Sequence, residues 1–241
     1  MSAPLLSLEG VHTHIGQYHI LQGVDLVVPR GELTVLLGRN GAGKTTTLRT
    51  IMGLWPPSQG TITFDGRAIG GHATPDIARA GIGYVPESMG VFADLTVAEN
   101  MTLAARLGPP DAARLDWIFG LFPALKRFWQ LPAGLLSGGQ KQMLSIARAI
   151  VEPKALLLID EPTKGIAPAI IEGMITAFKE LKRAETTILL VEQNFRFAAS
   201  LGDGVAVMDD GRIVHRGTIQ ALAADSALQT RLLGLSLAAH Q

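Results

Sequence analysis

The 241-residue chain carries 21 Lys and Arg against 21 Asp and Glu, a formal net charge of zero, so it lacks the basic footprint that would make nucleic acid an expected partner. Hydrophobic residues make up 47% and charged ones only 17%, below the usual share of about 25%, which leaves surface for protein partners. With no cysteine, no apolar run near the roughly 18 residues of a membrane span and no signal-peptide pattern in "MSAPLLSLEG", one cytoplasmic α/β domain with a subdomain is expected.

In chain order, "LLSLEGVHTHI" and "LQGVDLVV" read as strands with Gly16 and Gly23 as breaks, followed by a turn at Pro29-Arg30-Gly31. Glu32 to Gly38, "ELTVLLG", has no polar alternation and predicts a strand covered on both faces. A glycine loop leads into a helix, "KTTTLRTIMG", that Gly53 closes. "GTITFDGRAI" alternates around an Asp65-Gly66 turn. Over residues 96–150 the pattern becomes helical. Thr96 and Glu99 stand as in a capping box, one helix runs to Gly108-Pro109-Pro110, and "DAARLDWIFGLF" repeats the spacing. This stretch reads as an inserted helical subdomain within residues 1–95 and 151–220. "ALLLID" and "TTILLVE" are again buried strands, separated by a helix from Pro168 to Lys182 whose stripe of Ile170, Ile171, Met174, Ile175, Phe178 and Leu181 faces the core. "VAVMDDGRIVHRG" is a hairpin around Asp210-Gly211, and residues 221–241 form a helical tail.

Three segments carry chemistry. Gly38, Arg39, Asn40, Gly41, Ala42, Gly43, Lys44 and Thr45 fit G-x-x-x-x-G-K-[ST] between a buried strand and a helix, with Thr46 in the same helical turn. Glycines let backbone N–H groups curl around phosphate and the helix N-terminus adds positive potential, while Lys44 reaches the β and γ phosphates and the Thr45 hydroxyl holds Mg2+. Asp160 and Glu161 end a buried strand, which suits Asp160 to Mg2+ and Glu161 to polarising an attacking water. "LLSGGQ" opens another helix, where Ser137, Gly138, Gly139 and Gln140 form a second anion site. One chain needs one phosphate cradle, so the second is expected to serve a nucleotide on another subunit.

These motifs, in this order, resemble the ATP-binding cassette (ABC) ATPases over nearly the whole chain. The resemblance implies a P-loop NTPase core of RecA-like type with an antiparallel β subdomain and an inserted α-helical subdomain. It also implies that two cassettes sandwich ATP head to tail and grip the permease subunits of a transporter. By the same resemblance, Glu87 in "GYVPE" stands where most cassettes carry a glutamine that joins Mg2+, and Gln193 stands in the place of the switch histidine. Pro168 falls where many cassettes have an aspartate, and Ile15 falls where the adenine-stacking aromatic belongs, with Tyr18 three residues on. "YVPE", "LLVEQN" and "GIAP" together look like the ATP-binding subunit of branched-chain amino acid transporters. That implies an importer ATPase on the inner face of the membrane, paired with a second, non-identical cassette or a copy of itself, and served indirectly by a periplasmic solute-binding protein. Two other readings stay open: a soluble cassette ATPase outside transport, and a regulatory subunit that hydrolyses slowly because of Glu87 and Gln193. His12, His14, His19 and His215 read as surface or packing residues.

Overall fold

The computed structural model describes residues 4–234. In chain order it runs β1 (Leu6–Ile15), β2 (Tyr18–Val28), β3 (Leu33–Gly38), α1 (Lys44–Ile51), β4 (Gln59–Phe64), β5 (Arg67–Ala68), α2 (Thr74–Arg79) and β6 (Ile82–Val85). The helical insertion follows as α3 (Val97–Ala104), α4 (Ala112–Leu121), α5 (Pro123–Arg127), a 3-10 turn at Ala133–Leu135 and α6 (Gly138–Ile150). The chain then returns to the core with β7 (Leu156–Asp160), α7 (Pro168–Arg183), β8 (Thr187–Glu192), α8 (Phe195–Leu201), β9 (Gly204–Asp209), β10 (Arg212–Thr218), α9 (Ile219–Ala224) and α10 (Ser226–Leu233).

Among the described residues the strands form two sheets, a four-stranded one ordered β2-β1-β4-β5 and a six-stranded one ordered β10-β9-β3-β8-β7-β6. The first is antiparallel; in the second, β9, β3, β8, β7 and β6 run parallel and β10 closes the edge antiparallel. Because β3, β7 and β8 are covered on both faces, alternate residues feed two cores. Leu33, Val35, Leu37, Leu157, Ile159, Ile188 and Leu190 meet the helices, including Phe178 of α7 and Phe122 at the end of α4. Leu36, Leu158, Leu189 and Val191 face the other way, toward β1, β2 and α1. Each such side chain contributes about 1.5–3 kcal/mol by leaving water.

Several local expectations are met and some are corrected. Thr96 caps α3 with Glu99 as a reciprocal box, and Asp65 and Gly66 both take positive φ in the hairpin between β4 and β5. Gly23 is not a break: β2 runs through it, and it is the extra residue of a bulge between the pairs Val11↔Val24 and His12↔Gln22. Gly53 lies one residue past the cap of α1, with Met52 at the cap itself. Helix α3 stops at Ala104 rather than at Gly108, because the Glu152 carboxylate takes the N–H groups of Arg106 and Leu107 at 2.6 and 3.1 Å and draws the backbone out of the helix. The short α2, β6 and α8 carried too few periods to stand out. Of the expected tail, 221–234 is helical as α9 and α10; residues 235–241 lie outside the described residues.

Candidate nucleotide-binding site

The site is built at the C-terminal edge of the six-stranded sheet, where β3, β8 and β7 end side by side; Leu37 pairs with Glu192, and Asp160 with Val191. This is the edge at which open parallel sheets bind ligands, because the strand-to-helix loops converge there. Gly38 leaves β3 at φ 154°, and a Cβ at that position would stand 2.3 Å from the Met208 carbonyl oxygen, so only glycine fits. Gly43 turns into α1 at φ 107°, pressed against Leu21. Between them Arg39, Asn40 and Gly41 stay exposed, so the loop is open to a ligand. Lys44 lies buried across its mouth, and its Nζ donates to the carbonyls of Gly38 and Arg39 at 2.9 and 3.2 Å. A cleft of about 420 Å³ opens beside the loop, lined by Leu37, Gly38, Arg39, Asn40, Gln193 and Leu233.

The acids stand opposite. Thr45 Oγ1 donates to Asp160 Oδ1 at 3.1 Å, while Asp160 Oδ2 is buried with no hydrogen-bond partner among the described residues. Burial pushes the Asp160 carboxyl up to about 6, with the charges of Glu161 and Glu87 adding to the rise and the Thr45 hydrogen bond opposing it. An orphaned carboxylate oxygen beside a threonine hydroxyl suits a hard cation that takes oxygen ligands. Among the described residues no cluster of three or more His, Cys, Asp or Glu side chains is arranged as a metal cage. Mg2+ needs none, since it ordinarily takes one or two carboxylates together with substrate phosphates.

Glu161 adopts a left-handed φ of 43°, which costs about 1–2 kcal/mol in a residue with a Cβ. Its N–H bonds the Val191 carbonyl at 2.9 Å, and its carboxylate turns back to the phosphate loop, 3.3 Å from Lys44 Nζ. Gln193 Nε2 donates to Glu161 Oε1 at 2.6 Å and to Asn40 Oδ1 at 2.5 Å, so one amide joins the loop, the acid and the tip of β8. Glu192 points into the protein. Its Oε1 accepts from Thr163 N and Oγ1, its Oε2 from the N–H groups of Gln193 and Asn194, and burial raises its carboxyl despite those four bonds. It fastens the loop after β7 to the loop after β8, which is why Glu161 and Gln193 meet. Glu87, after β6, is held by Lys164 at 2.5 Å. Lys164 and the fastening role of Glu192 escaped the sequence reading; a lysine three residues after Glu161 was the signal available for the first.

Ser137, Gly138, Gly139 and Gln140 lie elsewhere, at the start of α6. Ser137 Oγ accepts from Gln140 N at 3.3 Å and Gln140 Oε1 from Ser137 N at 2.9 Å, a reciprocal cap in which Ser137 and Gly138 stay exposed and Gly139 is buried. A Cβ on Gly139 would stand 2.7 Å from Ile170 Cγ2, so α6 and α7 close on that glycine. Further along α6, Ser145 Oγ donates to the Met89 carbonyl at 2.5 Å and Arg148 to that of Gly90, tying the loop after Glu87 to the helical subdomain. At the tip of the first hairpin Ile15 is half-buried, and its cross-strand partner Tyr18 is 65% exposed. His12, His14 and His19 stack on one another there, with centroids 5.1 Å apart for His12–His19 and 4.2 Å for His14–His19.

Residues 21–164 match the ABC transporter family. The chain is 38% identical over 232 residues to the high-affinity branched-chain amino acid transport ATP-binding protein BraG of Pseudomonas aeruginosa, covering 95% of this chain and 100% of that protein. It is 34% identical over 222 residues to the probable branched-chain amino acid transport ATP-binding protein LivF of Archaeoglobus fulgidus, covering 91% and 94%. A solved ATP-binding subunit of an ABC transporter superposes with a TM-score of 0.79 at 30% identity, covering 97% of this chain and 96% of that one. The strand order, the glycine loop and the acid pair thus coincide with the family match, and the chain belongs to the ABC transporter ATP-binding proteins and is an ATPase.

Proposed function

We propose that this chain is the ATP-hydrolysing subunit of an ABC importer that powers uptake of branched-chain amino acids, or of a related small amide or amino-acid solute, through partner permeases. The match to BraG across both full lengths carries this reading. Relatives named for methionine and Fe(3+) import, 34% and 37% identical but longer than this chain, mark how widely the cassette is shared. The subunit works on the cytoplasmic face as a peripheral protein, and among the described residues no helix is long and apolar enough to cross a membrane. Its partners are the permeases, a second cassette and, indirectly, a periplasmic solute-binding protein; nucleic acid is not among them.

In this reading the backbone of Gly38 to Gly43 cradles the triphosphate of ATP, with Lys44, Thr45 and Thr46 at the start of α1. The Lys44 ammonium, already desolvated and preorganised by two carbonyls, meets the terminal phosphates and offsets charge as it builds on them. Thr45 and Asp160 would hold Mg2+, and Glu87 would join them at the edge of the site while keeping its bond to Lys164. When bound, that ion supplies Lewis-acid charge to the phosphate oxygens. Glu161 orients and polarises the attacking water, and Gln193 holds the Glu161 carboxylate by a hydrogen bond from its uncharged amide. Ser137, Gly138, Gly139 and Gln140 would face the nucleotide of the other cassette, with the N–H groups of Gly138 and Gly139 outside the reciprocal cap of Ser137 and Gln140. Reconstitution with its partner permeases tests the whole reading: uptake of leucine, isoleucine or valine that vanishes with Lys44→Ala and Glu161→Gln is expected. Uptake of an unrelated solute would overturn the substrate assignment.

A further inference from the structure

Acids and lysines alternate along the site. Lys44 Nζ lies 3.3 Å from Glu161 Oε1, Glu161 Oε2 lies 3.9 Å from Lys164 Nζ, and Lys164 Nζ lies 2.5 Å from Glu87 Oε1. Lys164 comes from the loop between β7 and α7, three residues after Glu161; Glu87 comes from the loop after β6, which α6 holds through Ser145 and Arg148. Both side chains of the pair are partly exposed, so the pair adds little to folding stability. Its consequence is local charge. Asp160, Glu161 and Glu87 would crowd three carboxylates where the triphosphate, itself anionic, has to end. A glutamine at position 87 would bring no charge there, whereas an ionised glutamate does.

We propose that Lys164 is a positioning residue for ATP hydrolysis: its ammonium pins the Glu87 carboxylate to the loop after Glu161 and cancels its charge, so that the triphosphate meets a neutral pair rather than a third free acid. The pair also joins the Glu87 loop, and through it the helical subdomain, to the loop that carries Glu161. A displacement of α6 therefore bears on the hydrolytic acid through Lys164.

The inference rests on the assignment of Lys44 and Glu161 above, and the experiment separates the two. Using the purified full chain, kcat for ATP and the affinities of fluorescent ATP and ADP analogues are measured for Lys164→Met, Lys164→Arg, Glu87→Gln and the double variant Glu87→Gln/Lys164→Met. Lys164→Met is expected to lower kcat about ten-fold and to weaken the ATP analogue by about three-fold or more, with ADP binding within about two-fold because ADP lacks the terminal phosphate. Lys164→Arg keeps the charge and stays within about two-fold of the parent. In the Glu87→Gln background Lys164→Met changes either quantity by less than about two-fold, since the carboxylate that Lys164 holds at 2.5 Å is gone and Glu161, 3.9 Å away, keeps Lys44. An equal loss in both backgrounds would show that Lys164 acts on its own and would overturn the proposal, as would equal losses of ATP and ADP. Lys44→Ala and Glu161→Gln run alongside: if they hydrolyse ATP like the parent the site assignment fails, and if they are inactive while Lys164 and Glu87 act independently only the inference fails.

Discussion

A single buried carboxyl sets the pH behaviour of the site. Asp160 has a folded-state value raised from 3.8 to about 6, chiefly by burial. A raised acid holds its proton more tightly when folded, so stability is greatest below the unfolded value, is lost as pH rises from about 4 to about 6 and stays lost above that. The loss amounts to about 1–3 kcal/mol. Asp160→Asn keeps an oxygen for the Thr45 hydroxyl and removes the charge. It is therefore expected to be about 1–3 kcal/mol more stable than the parent at pH 8 in nucleotide-free, metal-free buffer, with the gain shrinking toward pH 4. Urea midpoints at the two pH values check this, and a variant less stable at pH 8 would contradict it. The same substitution should abolish hydrolysis, since stability is given up here to keep an ionised ligand in place. Gln193 is a second residue-scale case. Gln193→Ala removes the donor on Glu161 Oε1 and should lower kcat about ten-fold, whereas Gln193→His restores a donor and should preserve or raise it. A large loss in the histidine variant would show that the simultaneous bond to Asn40 needs an amide.

Helix α6 converts a sequence motif into a surface, and its geometry explains why position 139 is glycine. A methyl group there would meet Ile170 at Cγ2, Cγ1 and Cβ, the rigid root of a branched side chain rather than its flexible end. Gly139→Ala should therefore cost about 1–3 kcal/mol, and adding Ile170→Ala should recover most of it, as read from urea midpoints of the single and double variants. If the double variant is no better than the single, the cost lies elsewhere than in this contact. The same elements show what could be read beforehand. Runs such as "ALLLID" and "TILLVE" were legible as doubly covered strands because apolar residues fill both phases of the alternation, and each ends in acids that a buried strand does not explain. The capping box at Thr96 was legible because both partners lie within four residues; the same box between Ser137 and Gln140 was read only as an anion site. What escaped depends on distant partners: the end of α3 is decided by Glu152, the course of β2 through Gly23 by its pairing with β1, and the neighbour of Glu87 by a lysine on another loop.

At the scale of the whole molecule the site is divided between two surfaces of one chain. The phosphate loop, Asp160, Glu161 and Gln193 are joined by direct contacts at the sheet edge, while Ser137 and Gln140 cap the start of α6 and Gly139 packs on α7. In the proposed reading the exposed start of α6 at Ser137 and Gly138, with its own chain's phosphate loop elsewhere, meets a nucleotide presented by a second cassette. Slowing hydrolysis should make that association visible. Glu161→Gln is expected to bind ATP and run as a dimer in size-exclusion chromatography with light scattering, and to return to a monomer with ADP. Adding Ser137→Arg should block the dimer by filling the turn with a long cation, and adding Lys44→Ala should abolish it by removing the bound ATP. If Glu161→Gln binds ATP yet stays monomeric, the copy of this chain is the wrong partner, and mixing it with a non-identical cassette of the same transporter should restore the dimer. A failure of that mixture too would leave the Ser137 turn without the intersubunit role assigned to it.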